Sequence, residues 1–166
     1  MTSLTLIRRI KAQPAVVFAA LTAPEGISHW WGPDAGPVLV AESDARVGGR
    51  FRVRFRMLNG SEHEASGEYV EVVDSKRVVM TWQWTFGGEP DERNEVSRVE
   101  IDLRAIDIGT ELTFTHARLQ TEASCASHTQ GWSGALDKLE RYMAVGSDVV
   151  TLGEARRPGK RLNLDR

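Results

Sequence analysis

Two histidines and a set of aromatic side chains are the residues of this sequence whose types and spacing could do chemistry. His116 lies two positions after Phe114 in "TELTFTHARL", so the two share one face of an extended segment. His128 precedes Trp132 by one helical turn in "SHTQGWSGALDKLE". An imidazole titrates near neutral pH and can orient a polar group or exchange a proton with it. Its commoner role is that of a hydrogen-bonded core residue. If both rings face one cavity, they form an acid–base pair. Trp82 and Trp84 alternate in "VVMTWQWTF" and share a face, which suits an aromatic or polycyclic ligand as well as plain core packing. Tyr69 could add one orienting hydroxyl. In "HWWGPDAG", Trp30 and Trp31 stand about 100° apart if the segment is helical. They cannot do the same job: one is expected in the core and the other, Trp31, at a cavity rim, with Gly32-Pro33 fixing the loop that leaves it.

Other chemistries find less support. His29, His63, His116 and His128 are scattered and form no HxxxH or HExxH pattern, so no metal or other cofactor is called for. "RVGGR" precedes a strand rather than a helix, and reads as a turn or bulge rather than a phosphate loop. Cys125 is the single cysteine; no intrachain disulfide can form, and no neighbouring base activates it as a nucleophile. Lys+Arg 21 against Asp+Glu 23 leaves no basic excess for nucleic acid. With no signal peptide and no apolar run long enough to span a membrane, the expected location is the cytoplasm.

The elements that must position these side chains follow from period and punctuation. Residues 4–10 read as a strand, Pro14 opens a helix that Pro24 stops, and "PEGISHWW" reads as a second short helix ending by Gly32-Pro33. The pattern then alternates. Phe51, Val53, Phe55 and Met57 point one way, and Arg50, Arg52, Arg54 and Arg56 the other. Glu68 or Glu71, and Glu100 or Asp102, are candidate partners for that arginine comb. Further strands follow at residues 37–43, 64–74, 77–86, 95–106 and 110–119, with a register break expected around Tyr69-Val70-Glu71. From about Thr121 to Val145, Trp132, Leu136, Leu139 and Met143 fall at helical spacing. Residues 147–166 read as a basic tail behind a single domain, 1–146. The fold class is α+β: an antiparallel sheet of about seven strands, two short helices after the first strand, and one long C-terminal helix. A twisted sheet of this length curls, and a helix in its hollow leaves room for a cavity.

"FAALTAPEGISHWWGP", "ESDARVGGRFRV", "GEYVEVVDSKRVVMTWQW", "GTELTFTHARL" and "HTQGWSGALDKLERYM" occur in the order and spacing of one family. Over roughly residues 4–145 the chain resembles the activator-of-heat-shock-protein-90-ATPase homologues, within the START and polyketide-cyclase-like (SRPBCC) superfamily. The resemblance implies the helix-grip fold, a curved antiparallel sheet around the C-terminal helix with a deep apolar cavity. Members of that superfamily bind lipids, hormones or polyketides, catalyse cyclisation or dehydration, or bind chaperones. The eukaryotic chaperone activators carry a separate N-terminal domain with no counterpart in this sequence, so chaperone activation is not implied.

The leading expectation is a protein that binds a hydrophobic, aromatic or polycyclic small molecule between helix and sheet. Its contacts would be Trp31, Phe55, Tyr69, Trp82, Trp84, Phe114, His116, His128 and Trp132. The alternatives are a polyketide cyclase or hydrolase using Tyr69, His116 or His128, and a chaperone-associated or homodimeric interaction protein using the tail.

Overall fold

The computed structural model describes residues 1–88, 92 and 94–145 in full, and the backbone of 146–155. Strand β1 (Thr2–Ile10) leads into helices α1 (Pro14–Thr22) and α2 (Pro24–Ile27). Strands β2 (Val38–Ser43), β3 (Arg50–Arg56), β4 (Glu62–Val73), β5 (Arg77–Phe86), β6 (Ser97–Ile106) and β7 (Gly109–Leu119) follow, then α3 (Glu122–Ala155). The strands form one 7-stranded sheet in the order β1-β7-β6-β5-β4-β3-β2, every pair antiparallel.

Local chemistry sets the early boundaries. Pro14 and Pro24 each occupy a first helical turn, where the missing N–H costs nothing. Ala23 is extended (φ −88°, ψ 141°), because a residue before proline avoids the helical region. α2 is a single turn that ends at Ile27 rather than running on to Trp31. Trp30 closes the corner: its indole N–H donates to the carbonyl of Ala20 at 2.8 Å.

Bulges bend the sheet. Register shifts occur in β4 between Glu64 and Ala65 and between Tyr69 and Glu71, the second at the break expected from sequence. An extra residue there turns the ladder and increases its twist, and it keeps Tyr69 buried while Val70 faces solvent. The hollow receives α3, which buries Trp132, Ala135, Leu136, Leu139 and Met143. Leu136 and Leu139 are each worth about 1.5–3 kcal/mol of burial. Arg8 on β1 clamps the outer side of the helix, with Nη1 2.6 Å from Asp137 and 2.7 Å from Glu140. The backbone of α3 continues to Ala155, past the end expected near Val145; the rest of the expected basic tail, 156–166, lies outside the described residues.

The arginine comb of β3 points outward; of the expected partners Glu68 pairs with it, at Arg50, and the others do not. Arg52 pairs with Glu42 and Glu64, Arg54 with Glu62 and Glu64, and Arg56 with Glu62; Glu68 stands 3.9 Å from Arg50. Glu71, Glu100 and Asp102 instead surround Arg77. β6, with Glu100 and Asp102, lies three strands from β3, and Glu71 lies beyond Glu68, where the pairing of β4 with β3 ends.

Candidate functional site

Between α3, the open half of the sheet and the loop after α2 lies a cavity of about 610 Å³. Its apolar walls are Trp31, Phe55, Trp82, Trp84 and Trp132, joined by Pro33, Met57 and Ala135. Polar groups enter from three directions. Asn59, Ser61 and His63 come from the β3–β4 hairpin, Ser127, His128 and Gln130 from α3, and Asp34 and Glu92 from loops.

Each wall has a local cause. Alternation on β5 sends Trp82 and Trp84 to the same side, with ring centroids 4.6 Å apart and planes at 76°. On α3, His128 and Trp132 are one turn apart. Trp31 meets Trp132 edge to face at 5.3 Å and 78°. The Trp31–Asp34 loop is pinned to the helix by Lys138, whose Nζ donates to the carbonyls of Trp31 (3.0 Å) and Asp34 (2.6 Å). Burial lowers the pKa of Lys138, against the raising influence of Asp34. Gly32, at φ +101°, makes the turn that lets the loop reach back to the helix. Of the adjacent tryptophans, Trp30 lies in the core and Trp31 lines the cavity.

The two histidines have separate surroundings. His116 is 0 % exposed and lies behind the cavity wall. Trp132 Nε1 donates to its Nδ1 at 2.9 Å, and its Nε2 sits 2.7 Å from Ser97 Oγ. An indole N–H can only donate, so Nδ1 is the acceptor and the ring proton is on Nε2. Ser97 accepts that proton and donates its own to the carbonyl of Trp82 at 3.1 Å. The chain of bonds is closed and holds His116 neutral. Burial, and after it the nearby His128, push its pKa well below the ordinary histidine value. His128 does line the cavity, edge-on to Trp82 at 5.0 Å and stacked over Trp84 at 6.0 Å. Its Nε2 is 3.5 Å from Glu92 Oε2. Burial lowers its pKa and Glu92 works in the opposite direction. Ser124 Oγ donates to the same Oε2 through a very short hydrogen bond.

Six of the nine residues expected from sequence line the cavity: Trp31, Phe55, Trp82, Trp84, His128 and Trp132. Tyr69 and Phe114 do not. They border a small core void of about 10 Å³, too small for an organic molecule, and the Tyr69 hydroxyl bonds Ser43 Oγ at 2.7 Å. Glu92 and His63 were not expected there. His63 folds over the hairpin beside Phe55 at 5.5 Å, and its Nδ1 accepts the backbone N–H of Gly88 at 2.9 Å. His63 stands opposite Phe55 and continues the inward alternation of Ala65, Gly67 and Tyr69, a parity legible in the sequence, whereas the long β5–β6 connection gives no such signal for Glu92. Among the described residues, no group of three or more His, Cys, Asp or Glu converges to hold a metal ion, and no helix is long and apolar enough to cross a membrane.

A bent antiparallel sheet gripping a C-terminal helix, with an aromatic cavity between them, defines an α+β helix-grip protein of the START-like class. Residues 11–144 match the family model for the Activator of Hsp90 ATPase homolog 1-like protein, and the chain belongs to that family. Solved structures agree. The AHSA1 protein of Silicibacter pomeroyi is 25 % identical, with 87 % of this chain and 99 % of that one covered and a TM-score of 0.76. An uncharacterised protein of Rhizobium leguminosarum is 27 % identical over 86 % and 94 %, with a TM-score of 0.73. A Chromobacterium violaceum protein, 23 % identical over 86 % and 98 %, shares the fold at 0.74. No curated protein matches the chain in sequence.

Proposed function

We propose that this protein binds an apolar small molecule with an aromatic body in the cavity between α3 and the sheet. The observation that carries the reading is the cavity itself: about 610 Å³, walled by four tryptophans and Phe55. That volume falls within the range of ligand pockets, which are mostly apolar with a few polar groups for orientation. Apolar burial at about 25 cal/mol per Å² would supply most of the affinity. Four of the five tryptophans of the chain line the site, so binding has a direct optical readout. Titration with N-phenyl-1-naphthylamine and a panel of neutral aromatic compounds should quench tryptophan emission saturably at one molecule per chain. Absence of a saturable signal across the panel would remove the reading.

Proton transfer at His128 is the second reading, favoured by its place on the cavity wall beside Glu92. His116 cannot share the task, since both ring nitrogens are committed. Aryl-ester hydrolysis, followed with 4-nitrophenyl acetate, should then exceed the buffer rate and fall back to it in His128→Gln. Equal rates for the two proteins would exclude it.

A further inference from the structure

The proposed ligand site has a charge and a shape that narrow the ligand further. Asp34 and Glu92 are its charged side chains, and no lysine or arginine is among its described lining residues. Two cations stand near the site without lining it. Lys138 Nζ is bonded to two carbonyls, and Arg118 borders an adjoining cleft of about 30 Å³ that shares Trp82, Trp84, Glu92 and His128 with the cavity. Asp34 receives the backbone N–H groups of Gly36 and Leu58, one on each oxygen. Glu92 is less satisfied: Ser124 and His128 both approach Oε2, leaving Oε1 without a partner among the described residues.

Three of the four indoles that line the cavity keep their N–H out of it. Trp132 has given its N–H to His116, and the N–H atoms of Trp82 and Trp84 are buried away from the cavity surface without partners. The rings also stand at steep angles: 76° for Trp82 and Trp84, 78° for Trp31 and Trp132, and 66° for Trp82 and Trp132. Such rings cannot all lie flat on one planar ligand. They converge on a compact group. Indole faces carry negative charge density and attract cations, tryptophan most strongly.

We propose, building on the small-molecule reading above, that the cavity selects organic cations: an amine or quaternary ammonium head enclosed by the indole faces near Glu92, with an apolar body in the remaining space. The test uses three tetrahedral-headed probes of one shape: benzyltrimethylammonium, neutral neopentylbenzene and anionic phenylmethanesulfonate. Binding is read by tryptophan fluorescence and by calorimetry. The cation should bind about tenfold more tightly than the neutral probe, and the anion should not bind. Glu92→Gln, checked for folding by circular dichroism, should erase most of that preference by weakening benzyltrimethylammonium. Equal or tighter binding of the neutral probe overturns the cation inference and leaves the small-molecule reading standing. A preference for the cation that survives Glu92→Gln undiminished overturns the role of the carboxylate. Failure of all three probes, together with the neutral aromatic panel, overturns both readings.

Discussion

Trp132 spends its indole N–H on His116, and the consequence of cutting that bond can be sized. Trp132→Phe would leave His116 Nδ1 without its donor in a site that water does not enter. An unsatisfied buried acceptor costs about 1–3 kcal/mol, so urea unfolding should show a loss of at least that size. The same histidine sets an acid limb. Its pKa is low in the folded protein and near 6.5 when unfolded. The unfolded state therefore takes up the proton first as pH falls. Stability from this group is complete above about pH 6.5 and is lost below it, at about 1.4 kcal/mol per pH unit for each such proton. His128, lowered in the same direction, contributes to the same limb. The carboxylates held low by arginines, Glu42, Glu62, Glu100 and Glu111, act at lower pH, as pH falls below about 4.5 through their folded values. Unfolding free energies between about pH 7 and pH 5 should thus fall steeply, and less so in His116→Gln. Parallel slopes in the two proteins would contradict this account.

Helix α3 and the loop after α2 meet through two glycines with opposite expectations. A Cβ on Gly134 would lie 2.1 Å from the carbonyl oxygen of Pro33, a backbone atom, so the loop itself would have to shift. A Cβ on Gly131 would meet only Pro33 Cβ, at an ordinary 3.8 Å. In an unhindered helix interior, Gly→Ala gains about 0.5–1 kcal/mol from the restricted unfolded chain and better propensity. Gly131→Ala should therefore raise the melting temperature. Gly134→Ala should lower it and push the Trp31–Asp34 loop away from the helix, blue- or red-shifting Trp31 emission. Melting curves of the two single variants check the contrast, and a stabilised Gly134→Ala would show that the loop is not held as described.

At the scale of the molecule, we propose that residues 1–146 form the ligand-binding unit and that 147–166 are an appendage to it. A chain ending at Gly146 should bind N-phenyl-1-naphthylamine as the full chain does. In both, ligand at a hundredfold its dissociation constant should add about 2.7 kcal/mol to stability. Loss of binding on truncation would place part of the site, or a coupling to it, in the final twenty residues.

Much of this architecture is written in short-range patterns. Alternation around Phe51, Val53 and Phe55, the prolines at 14 and 24, and the spacing of Trp132, Leu136 and Leu139 determine the strands, the helix starts and the inward faces, because period and capping are local properties of the chain. They also place Trp82, Trp84, His128 and Trp132 on surfaces that meet. Which inward residues line open space was decided only by the tertiary structure. His116 and Tyr69 have the same parity as cavity residues, yet one is sealed behind Trp132 and Ser97 and the other turns to Ser43. Glu92, from the connection between β5 and β6, is brought beside His128 by the closing of the sheet over the helix. Alternation says which side of a sheet a residue faces. How far the helix stands from the sheet at each point depends on bulges, strand order and the volume of every neighbour, and it is that distance that leaves the cavity.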